Sequence, residues 1–240
     1  MTPKLFLLVT LLPVFGLAIL TPPITELSRD VYESLKLEPA NFAATCNDVD
    51  FEAAQADFNK AINIDTKYKW RDAEILSQQV LNRMSTSAQS FLKVCTARTK
   101  FYQRMAMMYD GCINRLYLIN KLGPSATNIS APYIYTEMWQ QLDFLCNGGK
   151  ELALRNFYHF NMFKTNPAFE TCKKNFISDV NSDHYDFCGF AGVFIECSNK
   201  AYADYLHNLQ LGWLICEELR VGFAYDCRDL RCHVIDPNSK

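Results

Sequence analysis

Ten cysteines restrict the folds open to this chain of 240 residues more than any other property of its sequence. They are Cys46, Cys95, Cys112, Cys146, Cys172, Cys188, Cys197, Cys216, Cys227 and Cys232. In a chain exported to an oxidising compartment, an even number of cysteines most simply forms disulfides, whereas zinc binding needs thiolates that are kept reduced. We therefore expect five disulfides, although the sequence leaves their connectivity open.

The amino terminus has the layout of a secretory signal peptide. Lys4 is the only charge before an uncharged run over residues 5–20, and Gly16-Leu17-Ala18 is a small-x-small cleavage site. We expect removal of residues 1–18 and secretion of the remaining chain. A retained signal anchor is the alternative, because these 16 uncharged residues approach the length of a tilted span of about 17 to 25 residues.

A glycosylation sequon, Asn128-Ile129-Ser130, agrees with export. Glycosylation requires passage through the secretory lumen and an exposed loop. The sequon lies in residues 123–132, a segment rich in glycine, proline and serine that has the composition of a loop. We therefore predict that Asn128 carries a glycan.

Composition excludes some partners. The formal charge of −2 produces no field that would gather nucleic acid or anionic lipid. With 49 % hydrophobic and 13 % aromatic residues, the chain has the composition of a globular protein. We expect no nucleic-acid partner, and no membrane partner once the signal peptide is removed.

Apolar residues recur at three- and four-residue steps through most of the chain, which is the period of an α-helix. We predict an all-α fold, a disulfide-stapled bundle of about six to seven helices. Asn47, Asp48 and the pair Asn166-Pro167 are candidates for helix amino termini. The longest pattern, over residues 91–119, predicts one continuous helix in which Gly111 is a weak point and not a break.

Helical geometry excludes several cysteine pairings. On one continuous helix, Cys95 and Cys112 would be 17 residues and about 25 Å apart, whereas a disulfide needs Cα atoms within roughly 7 Å. Each of the two therefore needs another partner. The same test separates two further pairs, Cys188 from Cys197 and Cys216 from Cys227.

The cysteines also favour a single domain. Three cysteines precede the loop at residues 123–132, and an odd number cannot pair internally. At least one bridge should therefore cross that loop. We predict an N-terminal segment over residues 19–45, one disulfide-rich helical domain over residues 46–232, and a tail over residues 233–240.

The segment CRDLRCH, residues 227–233, has the residue types of a metal site, since two cysteines and a histidine are soft ligands for zinc. Eight other cysteines and a signal peptide favour another interpretation. We expect Cys227 and Cys232 to form disulfides with two different partners, with His233 as a bystander. We predict no metal site.

No catalytic motif is present in the sequence. The histidines His159, His184, His207 and His233 are scattered, and no serine or metalloprotease signature surrounds them. The turn NGGK at residues 147–150 lacks the spacing and the hydroxyl of a phosphate-binding loop. The methionines Met105, Met107 and Met108 fall at helical spacing and are interpreted as core. We predict no catalytic residue and no cofactor.

The carboxy-terminal half resembles a known family. The stretch LDFLCNGGKELALRNF, then Cys172, the helix CGFAGVFIEC, and finally Cys216 and Cys227 are similar to the nematode secreted cysteine-rich helical domains, over residues 91–232. That family includes the chondroitin proteoglycan 4-like domain and relatives of unknown function. The resemblance implies secretion, helices and disulfides, and no established catalytic residues. Chondroitin attachment uses Ser-Gly pairs, and no serine in this chain precedes a glycine.

The leading functional prediction is a secreted, non-enzymatic protein that binds an extracellular protein or matrix component. The alternative is a carrier of a small apolar ligand, such as a lipid or sterol, in a cavity between helices. A hydrolase is less favoured, because it would need a histidine and a nucleophile brought together only by the fold.

Overall fold

A computed structural model describes residues 29–35, 45–123, 126, 129–160 and 166–234. The predicted signal peptide and the predicted glycosylation site Asn128 lie outside the described residues. So do residues 235–240 of the predicted tail.

The described residues contain α-helices and short 3₁₀ turns, and no strand occurs among them. The helices are α1 (Arg29–Ser34), α2 (Asp48–Ala61), α3 (Ala73–Thr86), α4 (Ala88–Met105), α5 (Tyr109–Cys112), α6 (Arg115–Leu122), α7 (Ser130–Cys146), α8 (Lys150–Arg155), α9 (Phe157–Phe160), α10 (Pro167–Ser182), α11 (Phe187–Leu206) and α12 (Leu209–Gly222). Seven of them have 14 to 20 residues, namely α2, α3, α4, α7, α10, α11 and α12. The predicted all-α bundle is confirmed.

Side-chain caps begin several helices where the sequence predicts them. The Asn47 side chain accepts a hydrogen bond from the Val49 amide at 3.0 Å, which satisfies one of the unpaired N–H groups of the first turn of α2. Asn166 likewise accepts from the Ala168 amide at 3.0 Å, and Pro167 occupies the first position of α10, where no N–H is needed.

The continuous helix predicted over residues 91–119 is wrong. The chain leaves helical geometry at Ala106, whose φ of 45° lies in the left-handed region, and again at Ile113, where ψ is 58°. Asn114 then caps α6 by accepting from the Tyr117 amide at 3.0 Å. Gly111 lies inside α5 and does not cause either break.

Helix α7 lies at the centre of the bundle. It packs against α3 and α4 on one side and against α12 on another, and twelve of its 17 residues are buried. It begins at Ser130 and therefore includes the end of the predicted loop over residues 123–132. Pro132 is tolerated there because it lies in the first turn, where its missing N–H breaks no helical hydrogen bond.

Two groups of aromatic rings fill the core. In the first, Trp139 of α7 stacks on Phe101 of α4 at 4.0 Å between ring centroids, and Phe58 of α2 lies 4.9 Å from Trp139. In the second, Phe176 of α10 stacks on Phe194 of α11 at 5.0 Å. Each such pair contributes about 0.5 to 1.5 kcal/mol beyond its buried area.

All ten cysteines are paired. The bridges are Cys46–Cys112, Cys95–Cys146, Cys172–Cys197, Cys188–Cys227 and Cys216–Cys232. Cys95–Cys146 crosses the loop between α6 and α7, as the odd number of cysteines predicts. None of the three excluded pairs is formed, and Cys227 and Cys232 have different partners.

Helix α1 belongs to the predicted N-terminal segment and packs against the carboxy-terminal half of the chain. Val31 is fully buried in the core. The Ser34 hydroxyl lies 3.4 Å from the carbonyl oxygen of His184, in the 3₁₀ turn before α11. Helix α1 therefore contacts the turn that leads into α11.

Candidate functional site

The candidate site is the C-terminal ledge, which we define as residues 225–234. Helix α12 ends at Gly222, and the Cys227 amide donates to the Phe223 carbonyl at 2.9 Å, so the chain turns before it reaches the first ledge cysteine. Cys227 is bonded to Cys188 on α11, and Cys232 is bonded to Cys216 on α12. The ledge therefore has no regular secondary structure and is fixed to two helices by covalent bonds.

Hydrogen bonds hold both ends of the ledge. At its beginning, the Tyr225 hydroxyl donates to the Ile113 carbonyl at 3.0 Å. At its end, the Asn199 side-chain amide donates to the His233 carbonyl at 2.8 Å. Because Asn199 is buried in α11, this hydrogen bond holds the end of the ledge against the bundle.

A buried arginine lies beneath the start of the ledge. Arg115 of α6 is almost fully buried and forms ion pairs with Asp226 of the ledge and, at 3.1 Å, with Glu137 of α7. Its guanidinium also donates to the Thr136 hydroxyl at 2.9 Å and to the Gly222 carbonyl at 3.1 Å. A buried charge is tolerated only when it is paired and hydrogen-bonded in this way.

Two carboxyl groups share this one guanidinium. Burial raises the pKa of Glu137 well above its ordinary value, the nearby Asp226 adds to the rise, and Arg115 opposes it. The rings of Tyr133 and Tyr225 lie on the guanidinium, with centroids 4.7 Å and 5.3 Å from its central carbon.

Two cavities flank the ledge. A cavity of about 570 Å³ lies on one side, bounded by the ledge and by Cys188 and Gly189 at the start of α11. A second cavity of about 280 Å³ lies on the other side, against Glu196 and Asn199 further along α11. Asp229 and Leu230 border both cavities, so the middle of the ledge forms a rim between them. Cavities of this size accommodate small molecules or side chains of a partner.

The rim presents charged groups to solvent. Asp229 and Arg231 are exposed, whereas Leu230 between them is buried against the bundle. The Arg231 guanidinium donates to the Leu230 carbonyl at 2.9 Å and to the Arg228 carbonyl at 3.2 Å, which folds this side chain over its own loop. The charged side chains are thus displayed by a backbone that is fixed on both sides.

Glu218 is a further buried ionisable residue, on α12. Both of its carboxyl oxygens are buried without a hydrogen-bond partner, and desolvation raises its pKa to about 8. It does not border either ledge cavity. A carboxyl group in this environment is stable in its neutral form, because burial penalises the charged form.

The other residues considered from sequence are dispersed. The rings of His184 and Tyr185 are tilted by 36°, with 4.4 Å between their centroids, and His207 ends α11 in the left-handed conformation. His233 borders the smaller cavity and is exposed, and its side chain makes no hydrogen bond or ion pair within the described chain. Of the three methionines interpreted as core, Met105 is buried, Met108 is half-buried, and Met107 is 90 % exposed.

The sequence indicates the anchors of the ledge but not its two cavities. The segment CRDLRCH, residues 227–233, is predicted to be a double anchor with two different partners, and in the structure these partners are Cys188 and Cys216. The position of Arg115 beneath it is missed, since an arginine at helical spacing is normally a surface residue. The burial of Glu218 is detectable from the sequence, because its helical spacing from Leu211, Leu214 and Ile215 places it on the apolar face of α12.

Within the described residues, no helix has both the length and the apolar content needed to cross a bilayer. The same part of the chain contains no cluster of three or more histidine, cysteine, aspartate or glutamate side chains arranged to hold a metal ion.

The fold and the ledge define a class of protein, an all-α helical bundle stapled by five disulfides. Comparison of the chain with protein-family models, curated proteins and solved structures finds no match. The five bridges are compatible with an extracellular protein.

Proposed function

We propose that this protein is a secreted, non-enzymatic binding module that recognises an extracellular protein or matrix component through the C-terminal ledge. The observation that carries the proposal is the shared rim, where Asp229 and Leu230 separate two cavities. Recognition loops held rigidly on a scaffold lose little conformational entropy on binding, and two disulfides provide that rigidity here.

The surroundings of the buried ionisable groups support a binding role over a catalytic one. The guanidinium of Arg115 is occupied by two carboxyl groups, a hydroxyl and a backbone carbonyl. Glu218 is buried away from both ledge cavities. The Arg115 contacts hold the base of the ledge, whereas the exposed groups at the rim are available for contact.

The carrier alternative has less support, because the large buried rings pack on one another. Trp139 is in contact with Phe101 and Phe58, and Phe223 lies between Phe176 and Phe187 with ring centroids 5.6 and 5.8 Å away. A lipid or sterol would have to separate these pairs.

Secretion, the glycan at Asn128 and membership of the nematode secreted cysteine-rich domain family remain parts of the proposal.

Site-specific photocrosslinking in the tissue that secretes the protein tests the proposal. A benzophenone amino acid replaces Asp229 at the rim or, in the control protein, Lys93 on the exposed face of α4. We expect a discrete covalent adduct from position 229 and none from position 93. Equal crosslinking at the two positions, or none at position 229, would contradict a binding role for the ledge.

Charge reversal gives an independent check. Asp229→Arg combined with Arg231→Glu keeps the net charge and changes only exposed side chains. The matched control reverses Glu74 and Lys93, which are exposed on α3 and α4. We expect the ledge variant alone to lose most of the crosslinked adduct when a crosslinker is placed at the neighbouring position 228.

A further inference from the structure

The five disulfides differ in their exposure to solvent, and the Cys188–Cys227 bridge contains the most exposed half-cystine. Cys188 is exposed to solvent, whereas the other nine half-cystines are buried or half-buried. Both Cys188 and its partner Cys227 border the cavity of about 570 Å³ beside the ledge. In contrast, both halves of the Cys95–Cys146 bridge are buried in the core.

From this arrangement we infer that Cys188–Cys227 is a reversible modification site, a disulfide that peptide-sized thiols of the glutathione class open while the other four bridges remain closed. Thiol–disulfide exchange depends on which sulfur a thiolate can reach, and exposed bridges are the labile ones. The inference concerns the bridge alone and does not rest on the binding function of the ledge.

The reaction needs only thiols as co-reactants. A thiolate attacks Sγ of Cys188, the sulfur–sulfur bond breaks, and Cys227 leaves as a thiolate that takes a proton from water. A second small thiolate then attacks the mixed disulfide at the sulfur that came from the first small thiol, and the Cys188 thiolate is released. Two electrons reduce the protein disulfide, and two thiols are oxidised to one small disulfide.

The surrounding contacts favour a local opening over unfolding. Asp226 remains paired with Arg115 when the disulfide of the next residue, Cys227, is broken. Sγ of Cys188 lies 3.4 Å from the Asp226 carbonyl oxygen, so the reduced thiol has an acceptor in place. The start of the ledge therefore loses its covalent attachment but keeps its non-covalent contacts.

The second ledge bridge favours closure. Cys232 follows Cys227 by five positions and stays bonded to Cys216, so Cys227 remains tethered near Cys188 after reduction. In the closed state the two Cα atoms of the bridge are 5.4 Å apart. A short tether gives the two thiols a high effective concentration, so exchange with the small disulfide forms the bridge again and releases two small thiols.

Thiol trapping on the folded, full-length secreted protein tests this inference. The protein is incubated with increasing reduced glutathione under native conditions, the free thiols are alkylated with N-ethylmaleimide, and each of the ten cysteines is quantified by peptide mass spectrometry. We expect Cys188 and Cys227 to reach half-labelling at a glutathione concentration where the other eight are labelled at least tenfold less. Equal or earlier labelling of another bridge, or simultaneous labelling of all ten, would overturn the inference.

A double variant distinguishes selective access from general instability. In C188S/C227S the exposed bridge is absent, and we expect a native helical circular dichroism spectrum with the remaining four bridges resisting the same glutathione concentrations. A variant that unfolds, or whose other bridges become labile, would show that Cys188–Cys227 is a structural bond and not a local switch. The matched control is C95S/C146S, which removes the buried bridge between α4 and α7 and should lose helical structure.

Discussion

Arg115 donates from its buried guanidinium to the carboxylate of Asp226, 111 positions later in the chain. The pair joins α6, in the first half of the sequence, to the residue immediately before Cys227. Two adjacent ledge residues are thus attached to the bundle: Asp226 by an ion pair to α6, and Cys227 by a disulfide to α11.

Replacement of Arg115 should be strongly destabilising. Arg115→Met keeps much of the side-chain volume but leaves Asp226 and Glu137 buried without their cation. Removal of one partner of a buried ion pair costs about 3 to 5 kcal/mol. We expect a decrease of this size in the free energy of unfolding, measured by urea denaturation with the disulfides intact.

The control for that experiment is Arg155→Met. Arg155 is exposed and pairs with Glu151 one turn earlier on α8, at 2.6 Å. Exposed pairs of this kind contribute little, so the control should unfold close to the wild-type urea concentration. Equal effects of the two substitutions would mean that the Arg115 cluster is not a buried network.

Stability should fall as pH rises because of Glu218. Its pKa in the folded protein is about 8, against 4.5 as the ordinary value. Below pH 4.5 both states hold the proton; between pH 4.5 and 8 only the folded state holds it, so each rise in pH favours unfolding. The contribution is lost as pH passes through 8, and its full size is on the order of 5 kcal/mol.

Glu218→Met should remove this pH dependence, because the thioether does not titrate. Urea denaturation at pH 5 and at pH 8.5 gives the free energy of unfolding of each protein. We expect the difference, variant minus wild type, to be several kcal/mol larger at pH 8.5 than at pH 5. Gln210→Met, an exposed position on the same helix, controls for methionine itself. A variant whose unfolding free energy falls with pH as steeply as that of the wild type would refute the assignment.

Much of the helical architecture is predictable from local chemistry. Asn47 and Asn166 mark helix starts because their side chains cap free N–H groups, and the odd number of cysteines before the loop requires a crossing bridge. The break at Ala106 is not predictable, since alanine favours helix and only the tertiary structure holds its φ at 45°. The exclusion of the Cys95 to Cys112 pair is confirmed although its premise, a continuous helix, is wrong.

The candidate site is harder to predict than the fold. Arg115 finds its partners 22 and 111 positions away, and no local pattern encodes such separations. The cavities beside the ledge form where residues 225–234 lie along α11, so they depend on which cysteines pair. The sequence leaves that pairing open, and the ledge follows only from the three-dimensional structure.

Gly212 allows α11 and α12 to approach closely. A methyl group at this position would lie 2.6 Å from the Asn199 carbonyl oxygen and 2.7 Å from the Ala203 methyl group. Gly212→Ala should therefore destabilise the protein by about 1 to 3 kcal/mol through overpacking. The midpoint of thermal unfolding, recorded by circular dichroism, is the readout.

Gly192→Ala is the matched control on α11. There the nearest atom to the new methyl group is 3.5 Å away, an ordinary contact with Leu230. Alanine is favoured over glycine inside a helix by about 0.5 to 1 kcal/mol, so this variant should be as stable as wild type or more stable. If the two alanine variants unfold at the same temperature, the close approach of the two helices is incorrect.

The doubly anchored ledge is the central claim, and a disulfide map of the non-reduced protein tests it most directly. Proteolysis at low pH followed by mass spectrometry should recover one peptide pair linking Cys188 to Cys227 and another linking Cys216 to Cys232. A bond between Cys227 and Cys232, or an exchange of partners between the two pairs, would contradict the ledge and the two cavities beside it.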